Sequence, residues 1–365
     1  MRVLVVGGTQ FNGLALVREL VRTGHDVTVL NRGRTQVELP RGVSRLVCDR
    51  TDPAAMRVLL GGCEFDCVQD MTAYHPEDVE LAVELFRGRV GHYIFASSTV
   101  IYATARILPI GEDHPTERGP DQVEYGLHKL LCEDVLIREY REHAFPATIV
   151  PFSMVMGPRN LVPDREQRMF IRLLQGREVL IPGHGAALGQ ICYVDDQARA
   201  LRMLMGNPIT FGKRYNVTGR QWFTDEGYVD TIAAVLGVDA RKVFVPAPVM
   251  DALWDGELTL AAGQATAPLV DLRTSPEAAQ RQAVFERRMQ LSQLIQKLSP
   301  HLYRWDDSAV FSTERIRRDI GWEADYSFAA AVEHTYDWFR REGLDRTSHF
   351  DFTFEDNLLA HLRTP

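Results

Sequence analysis

An α/β fold, a doubly wound parallel sheet with a smaller C-terminal lobe, is what this sequence predicts. Three observations carry that prediction. Short, wholly apolar runs alternate with amphipathic stretches through the first 150 residues, a glycine-rich turn joins the first run to the first amphipathic stretch, and beyond Pro151 prolines and glycines cut the chain into shorter pieces. Strands that are apolar along their whole length belong to parallel sheets buried on both faces.

The elements follow in order. Val3–Val6 reads as the first strand, and Leu14, Val17, Leu20 and Val21 recur at helical spacing in a helix ending near Gly24. Val27–Leu30, Arg45–Cys48, Cys67–Met71, Tyr93–Ala96 and Thr148–Val150 read as the next strands, with helical segments between them. Past Pro151, Gly157-Pro158, Pro163, Pro182-Gly183 and Pro246-Ala247-Pro248 mark a more broken lobe. Its expected place is at the C-terminal ends of the sheet strands, where open α/β sheets bind ligands. Ser275-Pro276-Glu277 sets a cap and a first-position proline for a long helix over 276–298, packed through Val284, Leu291, Leu294, Ile295 and Leu298.

With 45% apolar and 25% charged residues, the 365-residue chain has the composition of a soluble globular protein. Its formal net charge of -8, with no run of five or more Lys or Arg, argues against nucleic acid as a partner. No apolar run is long enough to span a membrane, and the first residue leads straight into a strand with no signal-peptide pattern. No membrane partner is expected. The five cysteines (Cys48, Cys63, Cys67, Cys132, Cys192) are odd in number and sparse, and Cys63 and Cys67 lack a second Cys/His pair that would complete a zinc site. The expectation is a reduced, cytoplasmic protein without a metal.

The glycine-rich turn is Gly7-Gly8-Thr9-Gln10-Phe11-Asn12-Gly13. A strand running into G-x-x-G-x-x-G and opening a helix is the fingerprint that seats a dinucleotide pyrophosphate on a helix N-terminus. Here Gln10 replaces the middle glycine, while Gly7 and Gly13 keep the turn and the helix–strand packing. A glutamine pointing away from the helix end, or bonding a phosphate through its amide, leaves the site usable. After the second strand comes Asn31-Arg32-Gly33-Arg34, two guanidiniums and no carboxylate, which favours the 2′-phosphate of NADP over the free ribose of NAD. Asp49, after the third strand, is placed to accept from the adenine amino group, or is a plain turn aspartate.

Tyr125-Gly126-Leu127-His128-Lys129 puts a phenol and an ammonium four apart, on one face of a helix. A cation there is expected to lower the phenol's pKa towards a working general acid/base. Phe95-Ala96-Ser97-Ser98-Thr99 lies upstream as a strand end carrying hydroxyls. With these motifs, Gly157-Pro158, Tyr193-Val194-Asp195-Asp196, Tyr215-Asn216-Val217 and Ile320-Gly321-Trp322, the chain resembles an extended short-chain dehydrogenase/reductase of the NAD-dependent epimerase/dehydratase kind over about residues 1–340. The glycine loop followed by Asn-Arg-Gly is similar to an atypical branch that includes chloroplast stem-loop RNA-binding proteins and bacterial epimerase-like relatives.

The resemblance implies a Rossmann-type domain at 1–150, joined again by segments around 190–220, and a mainly substrate-binding lobe at 151–365. It implies Ser98, Tyr125 and Lys129 as the catalytic set. For the cofactor it implies Gly7, Thr9, Gln10, Phe11, Asn12, Gly13, Asn31, Arg32, Arg34, Asp49, Arg50, Met71, Thr72, Ala73, Ser97 and Pro151, besides Tyr125 and Lys129. Tyr74, Thr99, Met154 and Tyr193 are its expected substrate contacts, and a homodimer through the helices around Tyr125 and after Thr72 is a further implication.

Departures from the family narrow the chemistry. Sugar-nucleotide dehydratases follow the Ser98 position with Asp-Glu, whereas this chain has Thr99-Val100, and valine cannot move a proton. Epimerases commonly carry Arg, Asn and Arg where Pro151, Met154 and Gly189 stand, so a natural partner for a nucleotide diphosphate is missing unless Arg159, Arg165, Arg168 or Arg304 replaces it. Two readings stay open. One is a hydride-transferring reductase or epimerase acting on a secondary alcohol or ketone of a sugar nucleotide or related polar metabolite. The other is a cofactor-retaining RNA-binding or regulatory protein.

Overall fold

The computed structural model describes residues 1–119, 121–162, 165–261 and 303–364, together with Arg288, Gln290, Leu291, Leu294 and Ile295. The helix expected over 276–298 otherwise lies outside the described residues.

Strands β1 (Arg2–Val6), β2 (Asp26–Asn31), β3 (Ser44–Val47), β4 (Cys67–Asp70), β5 (Tyr93–Ser98) and β6 (Ala147–Phe152) form one six-stranded sheet in the order β3-β2-β1-β4-β5-β6. Every pairing in it is parallel, with Val3 opposite Val27 and Cys67, and Ser98 opposite Phe152. The chain therefore winds outward from β1 to one edge and returns from β4 to the other, so the strand order reverses between β1 and β4. That reversal opens the crevice in which doubly wound sheets hold ligands.

Strand alternation divides the interior into two layers. Val3, Val5, Val27 and Val29 pack on one face with Leu16, Val17 and Leu20 of helix α1 (Phe11–Arg22) and with Ala198, Leu201 and Leu204 of α6 (Val194–Leu204). Leu4, Val6, Leu30 and Val68 pack on the other face. Their partners are Met56 and Leu60 of α2 (Pro53–Leu60), Val79 and Val83 of α3 (Pro76–Phe86), and Cys132 and Leu136 of α4 (Glu124–His143). A period of two across strands and near 3.6 along helices produces these two apolar seams.

The remaining elements cover the C-terminal end of the sheet. They include β7 (Met154–Met156), α5 (Glu166–Leu174), β8 (Glu178–Pro182), β9 (Leu188–Tyr193), β10 (Trp222–Thr224) and α7 (Asp225–Leu236). Small sheets β10-β9-β7 and β11-β8, where β11 is Arg241–Val245, organise them. The segment after α6 returns to the large sheet: the Tyr215 amide donates to Ile149 O at 2.9 Å and the Val217 amide to Pro151 O at 3.2 Å. No helix among the described residues is long and apolar enough to cross a membrane.

Candidate active site

The glycine turn closes on itself through contacts that only hydrogen can fill. A Cβ on Gly13 would stand 2.2 Å from Gly7 O, and one on Gly7, whose φ is +94°, would meet Thr72 Cγ2 at 2.3 Å. Two glycines thus pack β1, α1 and the β4 loop together. Gln10 is exposed and is the N-cap of α1, yet its side chain makes no cap bond. The first-turn amides of α1 are accordingly open to an anion. Asn12 Oδ1 is buried without a partner beside them. An uncapped helix end and an orphaned polar atom in a glycine cradle fit a dinucleotide.

Asn31 Oδ1 is engaged by the Gly33 amide at 2.8 Å and by Arg45 Nη2 at 2.8 Å, fixing the turn after β2. Arg32 and Arg34 are exposed at that turn, and their guanidiniums lie close enough to Asp49 to act on it. Asp49 itself accepts from the Thr51 amide and hydroxyl, which, with the two arginines, hold its carboxyl below the usual range. Its nearer duty is the turn.

Arg50 is committed as well. It grips Asp70 with both nitrogens at 2.6 and 3.1 Å and reaches Thr72 Oγ1 at 3.2 Å, so it is held by the loop of Met71, Thr72 and Ala73 from below. The Met71 amide bonds Val6 O at 3.0 Å, which ties that loop to β1. Thr9 is buried beneath the glycine turn.

Ser98 ends β5 and turns half-buried into a short 3-10 segment, Thr99–Ile101, accepting from the Val100 amide at 3.4 Å. Tyr125 and Lys129 rise from the first turns of α4, and the Ser98 side chain lies close enough to the Tyr125 phenol to act on it. The Lys129 ammonium is buried and donates to Ala73 O at 2.8 Å and Ala96 O at 2.7 Å. It sits 4.8 Å from the Tyr74 ring centroid and 5.8 Å from that of Tyr125. Burial pulls its pKa down to about 8. The expectation of a phenol drawn down by this lysine meets the opposite result. Burial, aided by the neighbouring Tyr74, pushes Tyr125 above the usual phenol range, against smaller downward effects from Ser98 and Arg165.

Several expected contacts face elsewhere. The Ser97 hydroxyl is turned to the buried Glu133 carboxylate, which Arg214 also grips. Thr99 Oγ1, at the start of the 3-10 segment, donates to Phe152 O at 3.1 Å, on the β6 side and not towards Tyr125. Tyr193 stacks on Tyr326 at 4.3 Å between ring centroids and touches His334. Pro151 is buried in β6 opposite Ser97, and Met154 is buried at the start of β7. Among the alternative arginines, Arg168 is fixed to Glu355 and Arg304 to Asp251 and Asp306, while Arg159 is exposed. Arg165 is the one whose charge acts on the Tyr125 phenol.

Sequence reasoning missed Asp70 and Glu133. Asp70 had a signal: it is a carboxylate closing the strand Cys67-Val68-Gln69-Asp70, at the end of the sheet where chemistry gathers. Glu133 sits among the polar residues of an amphipathic helix and had none.

The sequence matches the NAD dependent epimerase/dehydratase family over residues 3–218. The chain belongs to that family. Among curated relatives, the family likeness extends to the chloroplast stem-loop binding protein of 41 kDa b of Arabidopsis thaliana, 29% identical over 255 residues, 66% of this chain. The match spans 65% of that relative's own length, a little under two thirds. A 2'-dehydrokanamycin reductase of Streptomyces kanamyceticus is 26% identical over 68% of this chain and 70% of its own. A solved UDP-glucose 4-epimerase of Thermotoga maritima with UDP-glucose superposes with a TM-score of 0.68 at 18% identity, covering 94% of this chain and 99% of that one. A dTDP-glucose 4,6-dehydratase of Bacillus anthracis in complex with NAD gives the same TM-score at 14% identity, over 94% and 98%. These structures share the Rossmann-like fold that the family's six-stranded parallel sheet forms here.

Proposed function

We propose that this chain is a nicotinamide-dependent oxidoreductase, with NADP favoured, that reduces or epimerises a carbonyl or secondary alcohol of a sugar nucleotide or related polar metabolite. The observation that carries the reading is the convergence of Ser98, Tyr125 and Lys129 at the C-terminal ends of β4 and β5, beside the crevice opened by the strand reversal. When bound there, a nicotinamide supplies or accepts the hydride at the substrate carbon. The Tyr125 hydroxyl gives its proton to the substrate oxygen, or takes it back, while the Ser98 hydroxyl bonds the same oxygen. Lys129 holds a positive charge near the phenol and offers its remaining proton to a ribose hydroxyl, after two have gone to Ala73 O and Ala96 O.

Burial keeps the phenol protonated, the form in which it can donate to a carbonyl oxygen. Val100 leaves the site without the acid/base pair that water elimination needs. Arg165, at the start of α5 and near the phenol, is the proposed contact for an anionic group of the substrate.

Mass spectrometry of the purified protein, followed by turnover assays, tests the reading. A dinucleotide should be carried or readily bound. Tyr125→Phe should lower turnover about 10²–10⁴-fold with the fold retained. Ser98→Ala should lose more activity than Thr99→Val, whose hydroxyl already serves Phe152 O. Near-normal turnover in Tyr125→Phe would sink the mechanism. Dinucleotide binding without any turnover, combined with stem-loop RNA binding, would favour the second reading that the chloroplast relative's name raises.

A further inference from the structure

Asp70 is a buried hub. Oδ1 accepts from Arg50 Nη1 at 2.6 Å, the Thr72 amide at 3.1 Å and the Ala73 amide at 3.0 Å, and Oδ2 accepts from Arg50 Nη2 at 3.1 Å and the Tyr93 hydroxyl at 2.7 Å. The two amides fix the orientation of the Thr72-Ala73 turn. The carbonyl of that same Ala73 is one of the two that seat the Lys129 ammonium. A short covalent and hydrogen-bonded path therefore runs from the Arg50 guanidinium through Asp70 and Ala73 to Lys129.

We propose that Arg50 and Asp70 act together as positioning residues for Lys129, fixing its seat through Ala73 and balancing the charge it faces, with Asp78 as the second carboxylate on Arg50. The inference rests on the reading in which Lys129 serves the phenol and the cofactor. None of these groups faces bulk water: the Asp70 side chain is 2% exposed and that of Arg50 12%. The charged and titratable groups around Lys129 are Asp70 of β4, Arg50 from the loop after β3, Asp78 of α3, Tyr74, and Cys132 and Tyr125 of α4 itself. Asp70 and Arg50 push Lys129 in opposite directions. Removing one charge unmasks the other.

The sign of the response separates this role from plain structural support. Arg50→Gln leaves the Asp70 carboxylate uncompensated and should raise the Lys129 titration midpoint. Asp70→Asn keeps an oxygen for the Thr72 and Ala73 amides, leaves the Arg50 cation with only the longer Asp78 contact at 3.5 Å as counter-charge, and should lower the midpoint. The double variant, neutral again, should return it towards the parent value. A charge unmasked near a buried group moves a midpoint by about one pH unit or more.

The chain has four lysines, Lys129, Lys213, Lys242 and Lys297. Proteins labelled with [ε-13C]lysine therefore give few signals, and replacing the other three by Arg assigns that of Lys129. The parent midpoint should lie near 8, the single variants on opposite sides of it, and the double variant close to the parent. Midpoints that do not move, that move the same way in both single variants, or that stay displaced in the double variant would overturn the proposal. If Asp70→Asn does not fold, Arg50→Gln alone decides, since its midpoint must rise. These titrations need no turnover. A Lys129→Met protein with full dinucleotide affinity and activity would instead defeat the reading of Lys129 and leave the titration result standing.

Discussion

Ser98 and Thr99 are adjacent hydroxyls, yet one lies beside the Tyr125 phenol and the other donates to a main-chain carbonyl of β6. Ser98 closes β5 whereas Thr99 opens the 3-10 segment that follows, and that change of backbone sets where each hydroxyl points. The environment of Tyr125 was not legible in the sequence, because it depends on Tyr74 and Arg165, brought to it from other elements. A spacing of four residues guarantees that two side chains share a helix face, and says nothing of how much water reaches them. Asp70 illustrates the same gap, since the five bonds it accepts come from three separate stretches of chain.

The arginines after β2 permit a test at this scale. Arg32 and Arg34 are exposed and act on Asp49, whose carboxylate is already held by Thr51. A 2′-phosphate there would gain charge-assisted bonds of about 1.5–3 kcal/mol. Arg32→Ala should accordingly reduce a preference for NADP over NAD by roughly ten- to a hundredfold in titration calorimetry. Equal affinities for the two cofactors in the parent protein would remove the basis for that preference.

Among the elements, the six strands of the large sheet stand where hydrophobic runs place them, within one or two residues at each end. The exception in character is β3, which pairs at the sheet edge with Val47 62% exposed, so that its sequence reads as less apolar than a covered strand. The foot of β5 holds a feature that periodicity does not disclose. His92 is wholly buried, with Nε2 2.8 Å from Thr148 Oγ1 of β6, while Nδ1 accepts from the Gly206 amide at 3.1 Å. Burial brings its pKa down to about 3.

An unfolded chain protonates this imidazole below about 6.5, whereas the folded protein keeps it neutral. The stability it contributes is therefore complete above that pH and is lost as pH falls towards 3. By pH 4.5 the loss amounts to about 3 kcal/mol. Denaturant titrations of His92→Gln should show a lower stability at pH 7 but a shallower decline between pH 6.5 and 4.5 than the parent. Parallel declines would reject the neutral buried histidine.

Over the whole molecule, the C-terminal helix Thr353–Arg363 is fastened to α5 by a buried ion cluster. Arg168 bonds Glu355 at 2.8 Å, Arg172 approaches the same carboxylate at 3.3 Å, and both guanidiniums lie over the Phe352 ring. Glu355→Ala strands two buried cations, and loss of one partner of such a cluster costs about 3–5 kcal/mol. Chemical denaturation should register that loss as an earlier midpoint of one transition for the whole protein. A drop confined to the last helix, or no drop, would show the cluster to be dispensable. No sequence pattern joins residues 168 and 355, which is why this part of the architecture could not be read beforehand.

The single transition has its basis in the apolar layer that begins at Val3 and Val5. That layer continues through Val179, Ile232 and Val332 to Phe352, so one face of the sheet and part of the C-terminal lobe share an interior. Lobes joined by a thin polar seam can swing on a hinge, but lobes fused through a large hydrophobic interface cannot. Among the described residues, this layer binds the sheet and the parts of the lobe it reaches into one body, so the crevice beside Tyr125 sits against walls that are expected to move together.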